Sequence, residues 1–305
     1  MKKAFFQLHI AVLLAGFTAI FGKLIILNEG MLVIYRMLLS AAVLGLIMLY
    51  RKEFVVISFL DTIKVFGVGA IVAMHWVTFY GSIKYSNVSV SVTCLSAIGF
   101  FTSFFEPLIK RRRIDLVEVG LGLLAIAGIY LIFNFYPEYK TGIIFGIVSA
   151  MLASLFPIYN KGLLKKFASG VLTFYEMSGG FIALCIIIPV YLNFFPATYL
   201  IPTFSDWMWL LILAVFCTVL SFILSLNALK YISAFTANLT YNLEPVYSII
   251  LAFLIFKENK FLGIGFYAGF ALILLAITLQ MLREWNIRKV KARNIPALEI
   301  DNLTG

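Results

Sequence analysis

The chain has 305 residues, 63% hydrophobic and only 12% charged, with a net charge of +10 and a mean hydropathy of +1.03. Soluble domains carry about 25% charged residues, so the composition excludes an ordinary soluble protein. At about 20 residues per crossing, apolar segments fill most of the length and leave no room for a soluble catalytic domain. The basic residues lie in short loops between apolar runs rather than in one patch, which argues for the positive-inside rule and against a nucleic-acid partner. Cys94, Cys185 and Cys217 all fall inside apolar segments, where neither a disulfide framework nor a metal cluster is expected.

Hydropathy divides the chain into ten spans: Phe5–Leu27, Met31–Tyr50, Lys64–Ile83, Asn87–Ile109, Leu116–Phe135, Gly142–Asn160, Val171–Phe194, Asp206–Leu229, Ala234–Phe256 and Phe261–Leu282. The basic, apolar N-terminus lacks a suitably placed small-x-small cleavage site and reads as a retained first helix. The loops are short except 193–206, and a polar cytoplasmic tail, Arg283–Gly305, closes the chain and is expected to be partly disordered. With the N-terminus in the cytoplasm, only Lys84, Lys140, Lys257 and Lys260 fall on outer loops, while Arg111, Arg112, Arg113 and most other basic residues fall inside. That asymmetry predicts an N-in, C-in topology.

The two halves resemble each other in register. Lys23 matches Lys161 at an offset of 138, Tyr35-Arg36-Met37 matches Tyr175-Glu176-Met177 at 140, and Lys84-Tyr85 matches Lys230-Tyr231 at 146. Five spans per half is an odd number, so the second copy enters from the opposite side. The expected fold is therefore all-α and polytopic, with ten transmembrane helices in two inverted five-helix repeats, residues 1–135 and 136–282. Such repeats place a solute site near the midplane between the halves.

The ninth span is the most polar, carrying Thr236, Asn238, Thr240, Tyr241, Asn242 and Glu244 before Pro245. A charged residue at a helix centre costs about 2.5–3.5 kcal/mol on insertion scales, so these groups must face other helices or a water-filled cavity. Asn238, Tyr241, Asn242 and Pro245 share one helical face. Glu244, near the midplane, is a candidate for exchanging a proton against a cationic or amino group, the rival being a carboxyl bonded to backbone loosened by Pro245. The repeat register sets Gly99 of the fourth span opposite Pro245, and paired weak points of this kind mark binding sites in transporters.

Sequence motifs add a family resemblance. Ala228–Tyr231 (ALKY), Leu243–Val246 (LEPV), Phe256–Asn259 (FKEN), Gly22–Ile25 (GKLI), Glu106–Arg113 (EPLIKRRR) and the intramembrane Arg36 together make the chain similar to ten-helix members of the drug/metabolite transporter superfamily with two EamA-type repeats. The resemblance covers roughly residues 5–282. It implies a central cavity surrounded by spans 1–4 and 6–9, with spans 5 and 10 as scaffold, and export of amino acids, metabolites or drugs. One departure is that the fourth span ends in three arginines where many such repeats end in a glycine-glutamate pair, as the ninth nearly does with Glu258.

Further candidates follow from position. His75, Trp76, Phe79 and Tyr80 in the third span could contribute to a solute site or a proton relay, although a lone buried histidine is more often simply hydrogen-bonded. Thr93 and Ser96, with Ser89, form a hydroxyl stripe on the fourth span that permits close helix approach as readily as it binds a ligand. Arg36 and Glu176 occupy equivalent repeat positions in opposite leaflets and are not expected to pair with each other. Gating ion pairs, anchoring contacts or snorkelling to the interface are open to both. Gly265-x-x-x-Gly269 is expected to seat the tenth span.

These features point to a secondary transporter working by alternating access around a midplane cavity, with protons as candidate coupling ions and a lipid bilayer as its surroundings, in a bacterial cytoplasmic membrane. No nucleotide-binding loop is present and no cofactor is expected. A channel or uncoupled facilitator is the alternative. A membrane-embedded enzyme would need a catalytic constellation that His9 and His75 do not supply, and a monomer is compatible with all of this.

Overall fold

The structure, a computed structural model, describes residues 2–232, 237, 240–241 and 243–293. Among the described residues nine helices are long and apolar enough to cross a membrane, and a shorter apolar helix covers Glu244–Phe256. In chain order the helices are α1 (Lys2–Leu24), α2 (Glu29–Tyr50), α3 (Phe59–Tyr85), α4 (Val88–Cys94), α5 (Ile98–Lys110), α6 (Leu116–Phe135), α7 (Lys140–Leu163), α8 (Ser169–Phe194), α9 (Phe204–Ala214), α10 (Ser221–Leu229), α11 (Glu244–Phe256) and α12 (Ile264–Arg293). Nine of the ten expected spans are recovered as long helices, and of the ninth the described residues show chiefly its second half, Glu244–Phe256, the rest lying largely outside them. Three of the spans are interrupted, the fourth by a 3-10 turn at Leu95–Ala97, the eighth by a π turn at Val215–Leu220, and the ninth by a turn at Leu243 ahead of α11.

Helix ends are set by side-chain caps. Asn28, Ser58, Asn87 and Asp115 each accept a backbone N–H at the start of α2, α3, α4 and α6, and Thr203 with Asp206 forms a reciprocal capping box on α9. Arg111 and Lys257 take left-handed φ values of 52° and 55°, ending α5 and α11 at repeat-equivalent points. The tail differs from expectation. Its first part, through Arg293, continues α12 as helix, because Arg283–Arg293 contains no glycine or proline and Arg283 is tied to Asp115 and Glu118 at the start of α6. The rest of the tail lies outside the described residues.

The packing has two-fold character. In α3, the third span packs along α7 and α8; correspondingly, the eighth span (α9, α10 and the turn between them) packs along α1 and α2. Spans two and seven, four and nine, and five and ten pack directly on each other. An axis that exchanges span one with six, two with seven, three with eight and so on requires this arrangement. The fifth and tenth spans, α6 and α12, meet where a Cβ added to Gly128 would lie 2.6 Å from the Gly269 carbonyl oxygen and one added to Gly269 would lie 2.5 Å from that of Gly128. Gly265, one turn earlier, receives the Phe135 ring. The glycine pair therefore seats the tenth span on the fifth rather than offering a dimer face.

Gly128→Leu or Gly269→Leu is expected to destabilise the protein by about 1–3 kcal/mol through overpacking, read as a lowered Tm of the purified protein. Gly120→Leu, facing open space, should leave Tm unchanged.

Candidate functional site

A cavity of about 70 Å³ lies between the halves. Its wall is built from repeat-equivalent positions: Ala15 with Ala153 and Thr18 with Phe156 at the offset of 138, and His75 with Ser221, Trp76 with Phe222, Leu95 with Tyr241 and Ile98 with Glu244 at 146. A cavity lined in such pairs sits on the axis that relates the repeats. The interruptions at Leu95–Ala97 and at Leu243 occupy the same register, so each half breaks its helix at the same point of the wall. Arg36, Phe79 and Cys217 complete the lining. They have no counterpart in the wall, so the cavity is displaced toward the leaflet that holds Arg36.

Arg36 is the best-held residue of this site, at 1% exposure. Its Nε donates to Thr218 Oγ1 at 2.7 Å and its fork donates to the Tyr80 hydroxyl at 2.6 Å and to the Cys217 carbonyl at 3.4 Å. The guanidinium lies flat over Trp76, 3.5 Å from the ring centroid. Both partners on the eighth span, Thr218 and Cys217, lie in its π turn, where the helix widens. Burying a lone charge costs several kcal/mol, and hydrogen bonds to charged groups return about 1.5–3 kcal/mol each. Those bonds hold the cation in place, and among the described residues further N–H donors of the fork stay unused.

Glu244 opens α11 with Pro245 at its first turn, a position that proline tolerates because its missing N–H would be unpaired there anyway. The proline therefore starts a helix instead of kinking one. Glu244 is 8% exposed, lines the cavity, and forms no hydrogen bond or ion pair with the described residues. Cation and carboxylate thus share one cavity without closing on each other.

His75 is fixed by Ser149. The serine hydroxyl donates to the His75 carbonyl at 3.0 Å, so it has no second proton for the ring. The ring Nδ1, 2.8 Å from that hydroxyl and 3.0 Å from the Ser149 carbonyl, is then the donor. This assignment leaves Nε2 as a lone-pair acceptor on a residue of the wall. Phe79 stacks on the imidazole.

Several sequence candidates lie elsewhere. Tyr80 is fully buried behind Arg36 and acts on the cavity only through it. Thr93 and Ser96 do not reach the cavity: Thr93 bonds back to the Ser89 carbonyl and Ser96 Oγ is buried without a partner. Leu95 and Ile98 take that part of the wall because the 3-10 turn rotates the helix face. Gly99 follows that turn inside α5. Asn238 and Asn242 lie outside the described residues. Glu176 is fully buried, with its carboxylate beside the Asn160 amide. It neither pairs with Arg36 nor reaches the interface by snorkelling, and at 1% exposure Arg36 does not either. Sequence reasoning missed Thr18, Ser149 and Thr218; small hydroxyls in apolar runs give no signal until a partner helix is placed beside them.

Matches to known proteins agree with this architecture. The profile of the EamA-like transporter family matches residues 2–134 and 140–282. The chain belongs to the EamA-like transporter family. An uncharacterized transporter from Archaeoglobus fulgidus is 30% identical over 144 residues, covering 47% of this chain and 48% of that protein. Another from Clostridium kluyveri is 24% identical over 202 residues, covering 61% and 62%. The aligned stretch thus spans about half to somewhat under two thirds of these relatives. A solved crystal structure shares the fold with a TM-score of 0.67 at 16% identity, covering 94% of this chain and 99% of its own. The protein is accordingly a multi-pass membrane protein of a transporter family, with one EamA-like repeat on each side of the cavity.

Thr218→Val should cost about 1.5–3 kcal/mol by leaving a buried guanidinium short of an acceptor, whereas Thr218→Ser should stay near wild type. Thermal unfolding of the purified variants checks both.

Proposed function

We propose that the protein is a secondary carrier that exports a small zwitterionic metabolite of the amino-acid class by alternating access in a bacterial cytoplasmic membrane. The observation that carries this reading is a cavity on the repeat axis whose wall holds a fixed guanidinium and a carboxylate that has no partner among the described residues. Arg36 suits a solute carboxylate, which its planar fork binds in bidentate geometry. Glu244 suits a solute ammonium group. The aromatic wall of Trp76, Phe79, Phe156 and Phe222 suits an apolar side chain.

The size of the cavity favours a small solute over a drug-sized one. Pockets for drug-sized ligands measure about 300–1,000 Å³, well above the 70 Å³ found here. The two carrier states exchange the roles of the two halves, as inverted repeats allow. Glu244 couples transport to protons in this reading: it releases one when the ammonium binds and regains one when the solute leaves.

Counterflow in proteoliposomes preloaded with amino acids, cationic drugs or nucleobases tests the assignment. Saturable exchange of amino acids is expected. Arg36→Lys should weaken apparent affinity about tenfold, since a point charge replaces a fork. Glu244→Gln should keep counterflow and lose accumulation driven by a pH gradient. Exchange of drugs but not amino acids would overturn the solute class, and non-saturating flux would favour a channel.

A further inference from the structure

We infer that Glu258 and Lys23 form a latch that shuts the exterior mouth of the cavity, and that among the described residues the interior mouth carries no equivalent carboxylate. Glu258 stands just after α11 yet is only 4% exposed. One carboxylate oxygen accepts from Lys23 Nζ at 2.6 Å and from the Val88 backbone N–H at 3.1 Å. The other accepts from the Ser89 N–H at 2.9 Å and the Ser89 hydroxyl at 2.7 Å. The carboxylate thus sits on the N-terminus of α4, where free N–H groups and the helix dipole favour a negative charge. Lys23 also lies 4.5 Å from the Phe256 ring centroid.

The latch joins three chain ends: the C-terminus of α1, the N-terminus of α4 and the C-terminus of α11. By the distribution of basic residues all three lie on the exterior side. The cavity-lining Leu95 follows Ser89 by about 9 Å of helix. One carboxylate therefore ties both repeats together directly above the cavity, and solute cannot pass on that side while the tie holds.

Repeat symmetry shows that the opposite mouth is built differently. The left-handed residues Arg111 and Lys257 align at the offset of 146, so Arg112 occupies the place of Glu258. Lys161, the counterpart of Lys23, faces the carbonyls of Leu229, Lys230 and Ile232. A cation at position 112 cannot receive a helix N-terminus or a lysine. Among the described residues, the carboxylate latch therefore stands at one mouth and not at the other.

Cys217 reports on this directly because it lines the cavity, whereas Cys94 is buried away from its wall and Cys185, which is exposed, can be replaced by serine. A membrane-impermeant thiol reagent is applied to right-side-out and inside-out vesicles containing the full-length Cys185→Ser protein. Slow labelling of Cys217 from the exterior and faster labelling from the interior is expected. Glu258→Gln and, separately, Lys23→Met should raise the exterior rate about tenfold, with Glu258→Asp between them and wild type. Two different single variants guard against a folding defect, as does an unchanged Tm. Unchanged exterior labelling in both variants, or equally fast labelling from both sides in the parent, would overturn the latch. The assay needs no transported solute, so a failed latch and a wrong solute class give different results.

Discussion

Inside a bilayer no water is available to hydrogen-bond a peptide group, so every interruption of a helix must be covered by protein. This chain interrupts three spans, and each interruption is matched by a partner. The π turn of the eighth span gives its loosened carbonyl and Thr218 hydroxyl to Arg36. The 3-10 turn of the fourth span and the start of α11 meet across the axis, where their loosened backbone borders the cavity. Irregular backbone is tolerated in the hydrocarbon only where protein buries it or where it lines a cavity. The position of the breaks and the position of the cavity are therefore one fact.

The two halves then divide the work. Glycine-to-carbonyl contact fixes α6 on α12, away from the cavity. A second close approach, Gly69 against Gly180, locks α3 on α8. Glycines at these crossings bring backbones close enough for dispersion to replace the hydrophobic effect, which cannot drive helix association in lipid. Polar groups do the rest, and the chain places them unevenly. Arg36 is held by three hydrogen bonds and borders the cavity; its repeat equivalent Glu176 is sealed away from the cavity beside Asn160. Glu258 closes one mouth, and Arg112 stands in the equivalent place at the other. An inverted repeat with equal halves would have no preferred side. These departures from symmetry let the transporter distinguish its two faces.

Much of this was legible in the sequence. Composition and basic-residue distribution are bulk properties that the bilayer reads directly, so the membrane class, the spans and the family needed no tertiary contact. The offsets of 138, 140 and 146 carried the repeat and aligned Gly99 with Pro245, close to where both helices break. The candidate site was legible only in part. His75, Trp76, Phe79, Tyr241, Glu244 and Arg36 share the cavity wall, whereas Thr93 and Ser96 do not. Helical periodicity assigns a face only along an unbroken helix, and the turn at Leu95–Ala97 shifted that face in favour of Leu95 and Ile98.

The sequence by itself determined the kind of protein, the number of crossings and the two-fold plan, because hydropathy and repeat register are local or additive properties of the chain. Only the tertiary structure decided which polar groups meet. Lys23 and Glu258 are 235 positions apart, and Arg36 and Thr218 are 182 apart. Such pairs are chosen by how helices cross, and a crossing is fixed by the packing of many side chains at once rather than by the residues that finally touch.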